Sequence, residues 1–475
     1  MPQLLPLSRA ARLVGISRGA LQKRIQDNEL QTFEGAVRVA DLLRVFPDVK
    51  LQDDSAVERA RAFRENAVPK TEDDAALPAP AVLAQRLSKV SGELTTARNE
   101  LGHYSSMVRE LRERLVELDD GTLADTIAWL DNRIDNLPTV PERTAELLAK
   151  DTFLRLIAAH VKFIPSGHDF LVEGNETLLN AALRAGLLPH YGCTSGSCGS
   201  CKARVVAGEV LKVRDHSYEI SRTEQNLGYI LMCSNTAVTE LVLEVNEARH
   251  HNDIAAQKIH AEVRHVVPAD DDLCVLQVVT PSDQRLRFFA GQSVRLRLAD
   301  GSATHLPLAS CPCDGQHLEF HVPRHAGDAF ADALFEGHLG VGNGIQIEGP
   351  WGDFILPEAT HAPLVFLAHD HGFAPIKALI EAAVASDQAE SFTLLWSVSP
   401  GRHRYMENRC RAWADALDNF RYVAVDGAVG GADGINRELA GSLPANAIVF
   451  ACGPGDWLDS LASDIVDGDF HRLEI

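Results

Sequence analysis

Residues 191–202 read YGCTSGSCGSCK, and residues 228–235 read GYILMCSN. The first stretch sets Cys193, Cys198 and Cys201 in a C-x4-C-x2-C loop, and the second returns Cys233 from a strand-like segment. Two irons need four thiolates, and a tight loop giving three with a fourth from farther along meets that need. Gly196 and Gly199 let the loop curl and aim its N–H groups at sulfur charge. Zinc is the competing reading, but it usually takes two compact C-x2-C pairs, which this spacing does not make. The spacing predicts a [2Fe–2S] cluster held by Cys193, Cys198, Cys201 and Cys233. Of the other cysteines, Cys274, Cys311, Cys313 and Cys410 have no ligand-like company, and Cys311-Pro-Cys313 is too tight for a zinc knuckle. Those two read as structural.

Working outward, HVKFIPSGHDFLVE (160–173) predicts a β-hairpin turning at Pro165–Gly167, and NETLLNAALRAGL (175–187) an amphipathic helix capped by Asn175 or Thr177. With the complete C-x-x-G-x-C-G-x-C string, residues 159–247 resemble a plant-type [2Fe–2S] ferredoxin domain of the β-grasp kind. That resemblance implies a carrier of one electron at a time at roughly −400 mV.

The next 220 or so residues resemble the ferredoxin-NAD(P) reductase-like module of the oxygenase reductase family. QKIHAEVRHVV, CVLQVVT and SVRLRLA read as strands of an FAD-binding-type β-barrel at 253–356. FAGQ (289–292) and GPWGDF (349–354) match the family's barrel turns. PLVFLA, GFAPIKALIEAA, TLLWSV and AIVFACGPGDW then predict a Rossmann-like α/β lobe at 360–475, with Cys452-Gly453-Pro454 retained beside the expected nicotinamide place.

The ligand positions that the resemblance implies have changed. The family holds flavin with R-x-Y-S, and here Thr304, Leu306 and Pro307 occupy the Arg, Tyr and Ser places. In the second flavin segment Asp328 replaces a glycine and Ala331 a phosphate-binding Ser. An acid beside a pyrophosphate repels it where the family supplies donors. The nicotinamide loop A-G-G-T-G reads Ala368-His369-Asp370-His371-Gly372, so side chains fill the close-approach positions. His369, Asp370 and His371 also suggest a metal, but loop neighbours rarely all face one ion; fillers of an abandoned cleft are the favoured reading. The chain ends HRLEI, where members commonly carry an aromatic residue.

The front of the chain differs in texture. Residues 1–50 carry eight Lys and Arg against five Asp and Glu, a net +3 on a chain of net −21. SRAARLVGISRGALQKRIQD (8–27) holds two short amphipathic stretches split by Gly15, each with a serine (Ser8, Ser17) to cap it. A hairpin at Glu34-Gly35 and a third helix follow. This resembles the MerR and excisionase type of winged helix-turn-helix, which implies Arg18, Gln22, Lys23 and Arg24 at a DNA groove or its phosphates. A small helical docking module is the alternative. Residues 51–80 have linker composition. From Leu83 to Leu118 apolar residues alternate steps of four and three, predicting a coiled coil within a helical region at 81–158. A parallel homodimer and a hairpin within one chain both satisfy it.

The fold class is therefore multidomain: winged helix-turn-helix, long coiled coil, β-grasp ferredoxin, β-barrel and Rossmann-like lobe. No run of about 18 apolar residues occurs and no signal-peptide layout opens the chain, so a cytoplasmic protein without membrane spans is expected. The acidic balance disfavours general affinity for nucleic acid or anionic membrane outside the head. Three functions fit: a [2Fe–2S] electron-transfer protein exchanging single electrons with a protein partner, without tight FAD or NAD(P)H; a redox-responsive dimeric DNA-binding regulator; and an active NAD(P)H-dependent flavin reductase component. The first is favoured. Whether the chain is an enzyme in its own right turns on the altered motifs.

Overall fold

The computed structural model describes residues 4–33, 35–47, 78–118, 123–136, 141–281, 283–358, 362–387, 389–426, 432–440, 443–444, 446–462 and 469–475. Most of the expected linker, residues 51–77, lies outside them.

The head comprises β1 (Leu4–Pro6), α1 (Leu7–Val14), α2 (Arg18–Gln26), β2 (Thr32–Phe33), β3 (Ala36–Arg38) and α3 (Val39–Val45), with the sheet ordered β1-β3-β2. Gly15 at φ 74° stops α1 and the Ser17 hydroxyl accepts from Ala20 N at 3.1 Å to start α2. Ser8 does not cap. Strand β1 runs to Pro6 and the helix starts directly after it, which puts Ser8 inside the first turn.

Helix α4 (Pro80–Leu118) is one 39-residue rod, about 58 Å long at ~1.5 Å per residue. The repeat beyond it belongs to a separate helix, α5 (Ala124–Asp135), which doubles back so that Arg112 meets Asp131 at 2.5 Å. Helix α6 (Glu142–Ile157) returns to the body and inserts Leu147 into the core of the head. The root of α4 is fixed by Val82, which is buried, and by Arg86, whose guanidinium donates to the carbonyls of Ala237 (2.8 Å) and Leu156 (3.2 Å).

The cysteine-bearing domain has β4 (Ala158–Ile164), β5 (Asp169–Glu173), α7 (Leu178–Arg184), β6 (Lys202–Ala207), β7 (Val210–Lys212), α8 (Arg222–Asn226), β8 (Tyr229–Leu231), β9 (Asn235–Ala237) and β10 (Leu241–Glu244). Its main sheet is ordered β5-β4-β10-β6-β8, with β10 parallel to β4. The expected hairpin and helix are present, and Thr177 rather than Asn175 is the cap, accepting from Asn180 N at 3.2 Å.

Next come β11 (Gln257–Asp270), β12 (Leu273–Val279), β13 (Ser293–Arg297), β14 (Ala303–Pro307), β15 (His317–Pro323), α9 (Ala329–Phe335) and β16 (Gly344–Trp351). They form an antiparallel sheet ordered β14-β13-β16-β11-β12-β15 around a core that includes Phe288, Phe320 and Ile347. Gln292 ties the two motif turns: its side chain accepts from Phe289 N (2.8 Å) and donates to Gly352 O (3.1 Å).

The last lobe has β17 (Leu364–His369), α10 (Phe373–Ser386), β18 (Phe392–Ser397), α11 (Glu407–Ala416), β19 (Phe420–Val425), α12 (Ala432–Leu439), β20 (Ile448–Gly453), α13 (Gly455–Ala462) and β21 (Asp469–Glu474). All five strands are parallel, in the order β19-β18-β17-β20-β21. Continuous apolar runs such as LVFLA suit a sheet covered on both faces. No helix among the described residues is long and apolar enough to cross a membrane.

Candidate functional site: four cysteines and two altered motif segments

The loop between α7 and β6 carries three cysteines, and Cys233 follows β8. The sulfurs of Cys201 and Cys233 lie 3.2 Å apart, close enough to share one metal. Cys193 Sγ accepts from Cys198 N and from the Ser197 hydroxyl, both at 3.4 Å, and Cys198 Sγ accepts from Ser200 N at 3.4 Å. These donors favour thiolate. Burial pushes the Cys193 thiol up, but the hydrogen bonds from Ser197 and Cys198 outweigh it and bring it down to about 6. Cys193, Cys201 and Cys233 are buried, whereas Cys198 is exposed.

Two glycines make the curl. Gly196 (φ 77°) and Gly199 (φ 74°) sit where L side chains are strained. A Cβ would also come within 2.5 Å of His216 Cβ at the first and 2.3 Å of the Tyr218 ring at the second. The donor set, the aimed N–H groups and the close backbone together fit a [2Fe–2S] cluster with one edge toward solvent at Cys198.

The altered barrel positions bond to one another. Asp328 caps α9, its carboxylate accepting from Phe330 N (2.9 Å) and Ala331 N (3.2 Å). The Thr304 hydroxyl donates to the other oxygen at 2.9 Å. The carboxylate at the position where the resemblance implies a glycine is thus bonded to Thr304, the residue at the implied Arg position. Leu306 is buried in the barrel core, with Ala331 beside the cap. Pro307 ends β14.

The α/β loop is also self-contained. Asp370 accepts from Ser399 N at 2.7 Å and from the Ser399 hydroxyl at 2.6 Å. His369 meets the Ser397 hydroxyl at 2.8 Å and stacks on Trp457, ring centroids 5.2 Å apart. His371 Nε2 accepts from Arg402 at 2.6 Å, and Arg402 also binds Asp272 of the barrel. The partners overlap, with Ser399 shared by His369 and Asp370 and Arg402 shared by Asp370 and His371, so the three side chains are taken up by hydrogen bonds and ion pairs within the chain. Cys452 and Gly453 end β20 inside the sheet, followed by Pro454. A Cβ on Gly455, the first residue of α13, would lie 2.6 Å from the Glu474 carboxylate. The exposed Glu474 carboxylate thus lies beside the start of α13.

Between barrel and lobe runs a buried polar chain that sequence reading missed. Lys377 donates to Ala309 O (2.8 Å) and pairs with Glu319 (3.3 Å) and Glu381 (3.1 Å). Glu319 accepts from Gln277 (3.0 Å) and meets His321 Nε2 (3.2 Å); His321 Nδ1 meets the Tyr405 hydroxyl (2.8 Å). Burial raises the Glu319 carboxyl, but His321 and Lys377 overcome this and hold it far below the usual range. Burial pushes the His321 imidazole below its ordinary value. The only signal in the sequence was Lys377 and Glu381 four apart on an otherwise apolar helix.

Residues 162–238 match the 2Fe-2S iron-sulfur cluster binding domain family. Over 320 residues the chain is 28% identical to the CDP-6-deoxy-L-threo-D-glycero-4-hexulose-3-dehydrase reductase of Yersinia pseudotuberculosis, covering 66% of this chain and 95% of that protein. Over 312 residues it is 27% identical to terephthalate 1,2-dioxygenase reductase component 1 of Comamonas sp., covering 62% and 91%. The chain joins a plant-type [2Fe–2S] ferredoxin domain to a ferredoxin reductase-like module. A crystal structure of an Amycolatopsis cytochrome P450 reductase aligns at 23% identity with a TM-score of 0.42, covering 67% of this chain and 99% of that one.

Against this ferredoxin domain lies the face of the head that the winged-helix resemblance assigns to DNA. Arg18 pairs with Asp169 at 2.6 Å and its backbone N–H reaches Asp387 at 3.2 Å. Lys23 pairs with Glu390 of the reductase-like module. Arg9 binds Glu240 at 2.5 Å, and Arg12 binds Glu173. Gln22 is half-buried, and Arg24 is held by Glu29 at 2.7 Å. Arg18 and Lys23 therefore meet carboxylates of the body rather than an open groove face. Those acids lie far away in the chain, which is why the pairing was not legible. Cys311 and Cys313 are joined by a disulfide, a bond the sequence reading did not expect.

Proposed function

We propose that this chain is a single-electron carrier that works through the [2Fe–2S] cluster held by Cys193, Cys198, Cys201 and Cys233, without tight FAD or NAD(P)H. The carrying observation is the Asp328 carboxylate over the start of α9, bonded to Thr304. An incoming pyrophosphate would have to displace it against like charge. Asp370 on Ser399 N acts similarly in the lobe, and the Lys377 chain fastens the barrel to the lobe.

When bound, the cluster supplies reversible one-electron exchange. The chain's own residues set its surroundings: Ser197, Cys198 and Ser200 direct donors at sulfur, Gly196 and Gly199 let the backbone close in, and exposed Cys198 gives the edge that a partner meets. The partner is a redox protein. The relatives named above are reductases, two of whose names attach them to a dehydrase and a dioxygenase. A chain of net −21 suits a partner with a basic docking face.

The test is an anaerobic visible spectrum of protein loaded with iron and sulfide. The reading expects bleaching by dithionite, none by NADH or NADPH, and far less than one flavin per chain released on denaturation. Stoichiometric flavin together with bleaching by NADH would overturn it and restore a hydride-driven reductase.

A further inference from the structure

Helix α4 presents an apolar stripe that is exposed along its middle among the described residues. Leu87, Leu94, Leu101, Tyr104 and Leu111 are each more than half exposed, at 52%, 51%, 66%, 56% and 54%. They follow one another at steps of seven, seven, three and seven, the seam of a two-stranded coiled coil. The helix costs of Gly92 and Gly102 fall off that seam, where a Cβ would meet nothing within 4 Å. Single exposed leucines are ordinary, whereas a continuous stripe of them marks an interface.

We propose that this stripe pairs with the same stripe of a second copy, parallel and in register. Charge supports the orientation. Glu93 lies one residue before the seam residue Leu94, and Arg98 one after Ala97, five positions on. In a parallel in-register pair these become facing flank positions of opposite sign. Glu93 also meets Arg155 of its own α6 at 2.7 Å, with its side chain 46% exposed.

Orientation decides what the dimer does. The root of α4 is fastened to the ferredoxin domain through Arg86 on Ala237 O and Lys89 on Glu209. A parallel pair therefore gathers both ferredoxin domains at one end of the rod, whereas an antiparallel pair sets them about 58 Å apart. Two clusters at one end, each first reduced by a one-electron donor protein, let an acceptor that needs an electron pair draw both from a single assembly. This inference rests on the electron-carrier reading above.

Sedimentation equilibrium of the iron-loaded full chain at micromolar concentration tests the pairing. The wild type is expected at two chains, and Leu94→Glu/Leu101→Glu at one, with its visible cluster spectrum unchanged. Leu87→Cys reports the direction: parallel register brings residue 87 against its own copy, so mild oxidation yields a cross-linked dimer absent from the wild type. A monomeric wild type overturns the proposal, as does a dimer indifferent to the double substitution, or one that Leu87→Cys does not cross-link. If instead the cluster fails to take an electron from dithionite while the mass is still that of two chains, the carrier reading fails and the pairing stands.

Discussion

Thr304 and Asp328 sit 24 positions apart and share a 2.9 Å hydrogen bond, with the acceptor carboxylate also closing the first turn of α9. Capping carboxylates of this kind contribute about 1 kcal/mol. Asp328→Ala is therefore expected to lower unfolding free energy by about 1 kcal/mol in urea titration. It is not expected to confer flavin binding, because Thr304, Leu306 and Pro307 still lack the contacts. Flavin retained by the single variant would show that the carboxylate alone bars the site.

Cys198 is the exposed member of the ligand set. Cys198→Ser should leave an iron content well below two per chain, or a shifted spectrum that bleaches in air within minutes to hours. Iron, sulfide and spectrum all matching the wild type would remove Cys198 from the ligand set.

Lys377 holds two carboxylates that are nearly sealed from water. Removing one member of such a group leaves uncompensated charge, at a cost of about 3–5 kcal/mol. Lys377→Met should lower stability by that order, with the loss confined to the barrel–lobe unit. Hydrogen exchange should speed up in α10 and β15 and remain unchanged in the head. A loss below about 1 kcal/mol would mean that Glu319 and Glu381 find other partners.

Asp169 gives a pH dependence whose sign is fixed. Burial raises its carboxyl, but the His160 hydrogen bond and the Arg18 charge prevail and bring it to about 2. The depressed folded value means that this stabilisation, about 2 kcal/mol, is complete above the unfolded value near 3.9. It is lost as pH falls through about 2. Between pH 4 and 2 the head should come off the ferredoxin domain before the cluster domain unfolds, read as protease sensitivity appearing first in residues 4–47. Asp169→Asn should show the loosened head already at pH 7.

The cluster domain was legible because its chemistry is local: three cysteines and two glycines within ten residues leave few alternatives. The altered motif positions could be picked out for the same reason, each falling inside a short motif. The direction of α5 was not, since a step of four and three looks the same whichever helix receives it. Nor was the seat of the head. Arg18, Lys23 and their acids lie more than 100 residues apart, and basic residues on a short helix look alike whether they face DNA phosphate or a neighbouring carboxylate. The chain from Lys377 to Tyr405 joins α10, β12, β15 and the loop before α11, and no local pattern records such a meeting.

Asp328, Asp370 and Glu474 bear on how such a protein would come to notice. Triazine-dye and nucleotide resins retain reductases by mimicking a pyrophosphate, which on the carrier reading these three carboxylates would repel. This chain should run through such columns with the unretained fraction, and a survey of a cell extract by dye affinity or yellow colour would count it among the inert proteins. Its brown tint would be the trait that gives it away.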